Sequence, residues 1–151
     1  MTALSDSVGK QAAAQLALNP ERACHLLEIF LREELHRTGL TEVVIGLSGG
    51  VDSALSTYLA ARALGAEHVH VVLMPYRTSN PASREDAMRV VQSLELPHEV
   101  FDITGPVDSF ISGSNLGEDA RRRGNVMARM RMITLFDRSQ ALGGLVVGTS
   151  N

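Results

Sequence analysis

The apolar positions of this chain switch back and forth between two spacings. After "NPER", Leu26, Leu27, Phe30, Leu31 and Leu35 recur at the interval of one helix face, and Pro20 suits the first turn of that helix. A shorter helix over Ser5–Leu18 is expected before it. The spacing then collapses into an unbroken β-branched and apolar run, "VVIGL" (Val43–Leu47), which predicts a strand covered on both faces. "DSALSTYLAARALG" (Asp52–Gly65) returns to the helical period, with Leu55, Leu59 and Ala63 on one face and Gly65 as its stop. A second strand is expected in "HVHVVLMPY" (His68–Tyr76), closed by Pro75. "SREDAMRVVQSLEL" (Ser83–Leu96) reads as a helix opened by a Ser83-x-x-Asp86 capping arrangement. "EVFDI" (Glu99–Ile103) reads as a third strand, its polar alternation placing it near a sheet edge. A helical region containing "NVMARMRMITLFDRSQALG" (Asn125–Gly143) leads into a fourth strand, "GLVVG" (Gly144–Gly148).

Strands and helices in alternation imply βαβ units joined by right-handed crossovers. The expected architecture is doubly wound α/β: a parallel sheet with helices on both faces, preceded by a helical leader. Ligands of such sheets lie beyond the carboxyl ends of the strands, where the strand order reverses. The first strand runs out into Gly46–Ser53 and the fourth into Gly148–Asn151. If those two strands are neighbours, both segments meet at the ligand edge.

Composition narrows the classes. A length of 151 residues suggests one domain, and 44% apolar with 21% charged residues is ordinary for a soluble globular chain. A net charge of −3 argues against a protein that coats nucleic acid. The single cysteine, Cys24, leaves no intramolecular disulfide and fits a reducing compartment. No apolar run approaches the roughly 20 residues of a membrane span, and "MTALSDSVGK" lacks the basic start and apolar core of a secretory signal. A cytoplasmic protein without nucleic-acid or membrane partners is the expectation. All of the 14 basic side chains except Lys10 are arginine, so a mechanism needing a catalytic lysine would find it outside this chain.

That last point sharpens the reading of "GLSGGVDSALS" (Gly46–Ser56). The loop has no lysine after its glycines, so it is not a Walker-type loop, and its glycine intervals do not fit the dinucleotide fingerprint. What remains is a strand, a tight turn through Ser48-Gly49-Gly50, and a helix opening near Asp52-Ser53. A helix start carries unpaired N–H groups and the positive end of the helix dipole, so it attracts anions. Gly49 and Gly50 let backbone amides approach a ligand closely, and Ser48 and Ser53 offer hydroxyl donors. Asp52 would repel phosphate unless a Mg²⁺ ion lay between them. The plainer reading is that Asp52 caps the helix and the glycines only make the turn.

S-G-G-x-D-S after a buried strand resembles the signature of the pyrophosphatase-loop ATP enzymes, which have a Rossmann-like fold. "MPYRTSNPASREDA" (Met74–Ala87), "RGNVMARMRM" (Arg123–Met132) and "GGLVVGTSN" (Gly143–Asn151) then resemble, in order, the motifs of bacterial ammonia-dependent NAD⁺ synthetase. The resemblance implies that the carboxylate of deamido-NAD⁺ attacks the α-phosphorus of ATP with release of pyrophosphate. Ammonia then displaces AMP. It places Gly46, Leu47, Ser48, Gly49, Gly50, Val51, Asp52 and Ser53 on the ATP phosphates, Asp52 on Mg²⁺, Thr149 on ATP, and Arg129 on deamido-NAD⁺. Catalysis of this kind rests on positioning and charge neutralisation, and no residue is assigned as a nucleophile or general base.

The resemblance also implies what the chain lacks. In the family a metal-binding glutamate and an ATP-contacting lysine follow "GTSN", and both would lie past Asn151. Residues 1–151 therefore read as a single NAD⁺ synthetase-like domain cut short on its C-terminal side, binding ATP weakly and turning over poorly or not at all. With no glutaminase domain in the chain, the expected nitrogen donor is ammonia, and a homodimer sharing its dinucleotide site is implied. Another pyrophosphatase-loop ligase and a non-catalytic nucleotide-binding or dimerisation module are the alternatives. Among other candidates, Arg121, Arg122, Arg123 and Arg138 read as a solvated or subunit-facing helix. Met127, Met130 and Met132 read as packing. His68 and His70 alternate on one strand face but lack a third ligand for a metal. Arg77 and Thr78 stand where they would line an adenine site or simply make a turn.

Overall fold

The computed structural model describes residues 18–114 and 119–148. Within them lie β1 (Glu42–Gly46), β2 (Val69–Leu73), β3 (His98–Val100) and β4 (Gly144–Val147), which form one sheet in the order β3-β2-β1-β4. All three pairings are parallel; Val43 sits opposite both Val69 and Leu145. The first and fourth strands are neighbours, as the ligand-edge argument required. Strand order advances from β1 toward β3 and then reverses to β4, so the switch point lies between β1 and β4.

The continuous apolar run of β1 is covered from both sides: Val43, Val44 and Ile45 are each no more than 1% exposed. Side chains alternate across the sheet, so Val43, Ile45, Val69 and Val71 face one layer and Val44 and Val72 the other. The first layer is built by α1 (Pro20–Thr38), α2 (Val51–Leu64) and α3 (Pro81–Leu94), which contribute Leu35, Ala60, Ala87 and Val91. The second is built by α4 (Thr104–Gly113) and α5 (Ala120–Leu142) through Val107, Val126, Met127, Met130 and Leu135. Helices on both faces of a parallel sheet are thus present, as expected.

Several local expectations are corrected. Helix α3 begins at Pro81, two residues before Ser83, because the Asn80 side chain caps it by accepting from the Ala82 amide at 3.0 Å. Proline at the first helical position presets φ, so the Ser83-x-x-Asp86 arrangement is not needed. The third strand stops at Val100 instead of reaching Ile103. Phe101 and Ile103 still donate to Leu73 and Pro75 carbonyls, but Pro75 has no N–H to return, and the ladder ends there. His68 falls in a short 3₁₀ turn, Ala66–His68, ahead of β2. Helix α4 was not foreseen. On α2 the buried positions are Thr57, Leu59, Ala60 and Ala63, while Leu55 is 54% exposed. On α1 the face toward α2 and the sheet is Glu28, Leu31 and Leu35, and Leu26, Leu27 and Phe30 are exposed. The expected Ser5–Leu18 helix lies almost wholly outside the described residues. Among the described residues no helix is long and apolar enough to cross a membrane.

Candidate functional site

The corner between β1 and α2 is where the sequence concentrated its glycines. Leu47 carries the strand one step further, its amide donating to the Val72 carbonyl at 3.1 Å. The chain then turns through Gly49, whose φ of +83° is a left-handed conformation that favours glycine. Gly50 is the N-cap of α2, in extended geometry, and no side chain caps the helix. Its first-turn amides therefore face outward without a protein acceptor from a capping residue, the arrangement that attracts an anion.

Two serines hold this turn. Ser53 Oγ donates to the Gly50 carbonyl at 2.9 Å and accepts from the Ser48 amide at 3.2 Å. Ser48 Oγ accepts from the Gly50 amide at 3.2 Å and lies 3.0 Å from Ser53 Oγ. With the Ser53 proton directed at Gly50, the remaining proton between the hydroxyls comes from Ser48. Both hydroxyls are thus engaged in shaping the loop. The Ser48 and Gly50 amides are taken up inside the turn as well, so the donors left over are the Gly49 amide and the first-turn amides of α2.

Asp52 lies exposed in the first turn of α2 and does not cap it, which removes the plainer reading of that residue. As a single exposed carboxylate beside an anion-attracting helix start, it suits Mg²⁺, which commonly binds through one or two carboxylates together with phosphate oxygens and water. Among the described residues no group of three or more His, Cys, Asp or Glu side chains could hold a metal by itself. The far end of α2 is anchored: Arg32 Nε donates to the Ala63 carbonyl at 2.7 Å, and Arg62 pairs with the largely buried Glu28 at 2.9 Å.

The other assigned residues are placed differently. Thr149 lies outside the described residues, although β4 pairs with β1 through Ile45 and Val147, so the chain leaves β4 beside the loop. Arg129 is exposed on α5, where it lines a concavity of about 330 Å³ with Phe110, Asn125 and Ile133. Asn125 and Arg129 do share a face, but it looks toward α4 and outward, and no described contact joins Arg129 to Gly46–Ser53. Arg77 is committed: it pairs with Asp108, lies 5.2 Å over the Tyr76 ring, and its amide donates to Thr104 Oγ1 at 2.9 Å. The Tyr76 hydroxyl donates to Asp108 at 2.8 Å, and that carboxylate together with burial raises the phenol above its ordinary pKa.

The arginines of α5 are not uniformly solvated. Arg138 is half-buried, paired with Glu99 and stacked 5.6 Å over Phe101, and the Glu99 carboxylate raises its pKa. Met127 and Met130 do pack in the core, but Met132 is 43% exposed. Sequence reading missed Arg131, whose Nε donates to the Met74 carbonyl at 3.3 Å just past the end of β2. A signal for it existed: Arg123, Met127 and Arg131 recur every four residues, with core Met127 between the two cations. His68 and His70 both face Glu42 on β1, at 2.8 Å from its two carboxylate oxygens, which explains their alternation without a metal.

Comparison with known proteins decides the family. The family model described as NAD synthase matches residues 23–151. The chain belongs to the NAD synthase family. Within this family, the NH(3)-dependent NAD(+) synthetase of Chlorobium phaeovibrioides (strain DSM 265 / 1930) is 50% identical over 137 residues, which make up 90% of this chain and 49% of that protein. The protein of the same description from Thermococcus kodakarensis is 44% identical over 135 residues, 89% of this chain and 52% of that one. The NH3-dependent NAD synthetase of Campylobacter jejuni, solved with a nitrate ion, superposes with a TM-score of 0.84 at 38% identity over 89% of this chain and 58% of that one. The glutamine-dependent NAD⁺ synthetase of Acinetobacter baumannii, solved with ADP, gives 0.78 at 35% identity, covering 83% of this chain and 24% of that one. The chain spans about half the length of the curated NAD synthase relatives it matches.

Proposed function

We propose that this chain carries the ATP-activation site of an ammonia-dependent NAD⁺ synthetase. The observation that carries the reading is the uncapped start of α2, held open by Gly49 and the two serines at the switch point of the sheet. A lysine-free cradle of amides suits a pyrophosphate that departs as a leaving group. The nicotinate carboxylate of deamido-NAD⁺ attacks the α-phosphorus, the bond to the bridging oxygen breaks, and pyrophosphate leaves with that electron pair. Ammonia then attacks the acyl carbon, AMP departs, and the amide of NAD⁺ remains after loss of a proton. This chain's part is to hold the β- and γ-phosphates through the amides of Gly49 and of the first turn of α2, Val51–Ser53, with Thr149 assigned to ATP by the family resemblance. Asp52 would hold Mg²⁺, which when bound neutralises charge on the phosphate oxygens. The ADP bound to the Acinetobacter baumannii relative and the ammonia-dependent description of the curated relatives support this assignment.

Arg129 serves deamido-NAD⁺ from the outer face of α5. Phe110, Ile133 and Phe136 are more than half exposed around it, an apolar patch of the kind that marks an interface. A second copy of the chain seated there would form a homodimer and complete the dinucleotide site. A second acceptor is favoured by one observation: NMN synthetase of Francisella tularensis superposes with a TM-score of 0.83 at 26% identity. The test is calorimetric titration of the chain with Mg²⁺–ATP, alone and with deamido-NAD⁺ or nicotinate mononucleotide present. ATP binding strengthened by deamido-NAD⁺ supports the synthetase. ATP binding indifferent to either acceptor points to a nucleotide-binding module, and no ATP binding defeats the proposal.

A further inference from the structure

We propose that Arg131, with Arg123 two turns before it, forms a cationic wall on the α5 side of the phosphate corner and holds the polyphosphate opposite the loop amides. The inference rests on the ATP reading above and adds two residues to it.

Position comes first. Helix α5 runs antiparallel to the strands: Ala141 and Leu142 lie beside His70 at the start of β2, whereas Arg131 reaches the Met74 carbonyl past the end of that strand. Leu135 packs against Gly46, the last residue of β1; a Cβ there would lie 3.2 Å from Leu135 Cδ1 and 3.0 Å from Met74 Cε. Four residues back along the helix is about 6 Å. That step carries Arg131 beyond the end of β1, to the level of the Ser48–Gly50 turn. Arg123 lies further out on the same stripe, close enough to Tyr76 for its charge to act on the phenol.

Their partners are the second observation. The other arginines packed near this sheet are paired: Arg77 with Asp108, Arg138 with Glu99, Arg62 with Glu28. Among the described residues neither Arg123 nor Arg131 forms an ion pair. Arg131 is half-buried, and burial pulls its pKa down with no carboxylate to offset the loss of water. Its one described hydrogen bond uses Nε, leaving the terminal nitrogens for something else. Arg123 Nε is buried and has no hydrogen-bond partner. A desolvated guanidinium without a counterion is costly, and an anion arriving between the two would relieve both. Guanidinium groups present paired N–H donors that match phosphate oxygens, which a loop without lysine otherwise lacks.

The test titrates inorganic pyrophosphate and Mg²⁺–ATP into the chain and into Arg131→Gln, Arg131→Lys and Arg123→Gln, with proton–nitrogen spectra of the arginine Nε–H groups. Arg131→Gln is expected to weaken pyrophosphate binding about tenfold or more, with partial recovery in Arg131→Lys. Arg123→Gln should weaken it as well, and the Arg123 Nε–H signal should shift when pyrophosphate is added. If the glutamine variants bind pyrophosphate and ATP as tightly as the unsubstituted chain, the wall is refuted while the ATP site stands. If the unsubstituted chain binds neither ligand, both readings fall. Should Arg131→Gln unfold, the Arg123 variant and the Nε–H shift decide the question.

Discussion

Gly49 and Ser83 meet backbone to backbone: a Cβ on Gly49 would lie 2.0 Å from the Ser83 carbonyl oxygen. The first turn of α3 thus forms one wall of the corner between β1 and α2, and the left-handed φ of Gly49 adds a second reason for glycine. Gly49→Ala is expected to cost on the order of 2 kcal/mol or more in urea unfolding, and to abolish ATP binding in whatever protein still folds. A variant that melts and binds as before would show that the loop is not held by this contact.

Ser53→Ala removes the hydroxyl that links Ser48 to Gly50. The expected loss is about 1 kcal/mol of stability, with a larger loss in ATP affinity because the amides are no longer fixed in direction. Equal affinity by calorimetry would mean that the turn keeps its shape without the serine pair.

Asp52 makes no cap and is exposed, so Asp52→Asn should change stability by no more than about 0.5 kcal/mol, from the helix dipole alone. The effect should appear instead in the magnesium dependence. The strengthening of ATP binding by Mg²⁺ is expected to vanish in the variant. Its persistence would move the metal to other ligands.

Arg129 is separated from the loop, so Arg129→Met should leave ATP binding unchanged and weaken deamido-NAD⁺ binding by about tenfold or more. Parallel titrations with the two ligands read this directly. A variant impaired for ATP alone would reverse the assignment.

At the opposite end of the sheet, Glu42 couples stability to pH. Hydrogen bonding by His68 holds the Glu42 carboxyl below its ordinary value of 4.5, and the same contact lifts His68 above its ordinary 6.5. The histidine contribution is complete below 6.5 and fades as pH rises through the elevated folded value. The carboxylate contribution is complete above 4.5 and fades as pH falls through the lowered folded value. Stability from this pair is therefore greatest between those two ordinary values. Urea midpoints should fall from mildly acid to mildly alkaline pH, and Glu42→Gln should flatten that slope. A slope untouched by the substitution would assign it to other groups.

Much of this fold was legible because its signals are local. The doubly buried run Val43–Leu47 identifies the central strand by composition alone, and the alternation of periods leaves little choice of topology. Helix α4 escaped because its apolar residues, Val107, Phe110 and Ile111, span barely two turns and follow Gly105-Pro106, which reads as a turn. Leu55, Leu26 and Phe30 share helical spacing with buried neighbours, and spacing does not say which side of an apolar stripe the sheet will take. In the site, the glycine corner was readable from its chain order, since strand, turn and helix are consecutive. Arg131 was not, because its meaning depends on Leu135 packing against Gly46, a contact across most of the chain.

The serine pair closes a ring of hydrogen bonds made entirely of the chain's own groups. The entropy of fixing that turn is thus spent during folding, and an incoming triphosphate has little backbone left to order. Recognition at this corner should accordingly be fast, governed by encounter and ionic strength rather than by a rearrangement, and Ser48 and Ser53 would influence residence time through a geometry already set.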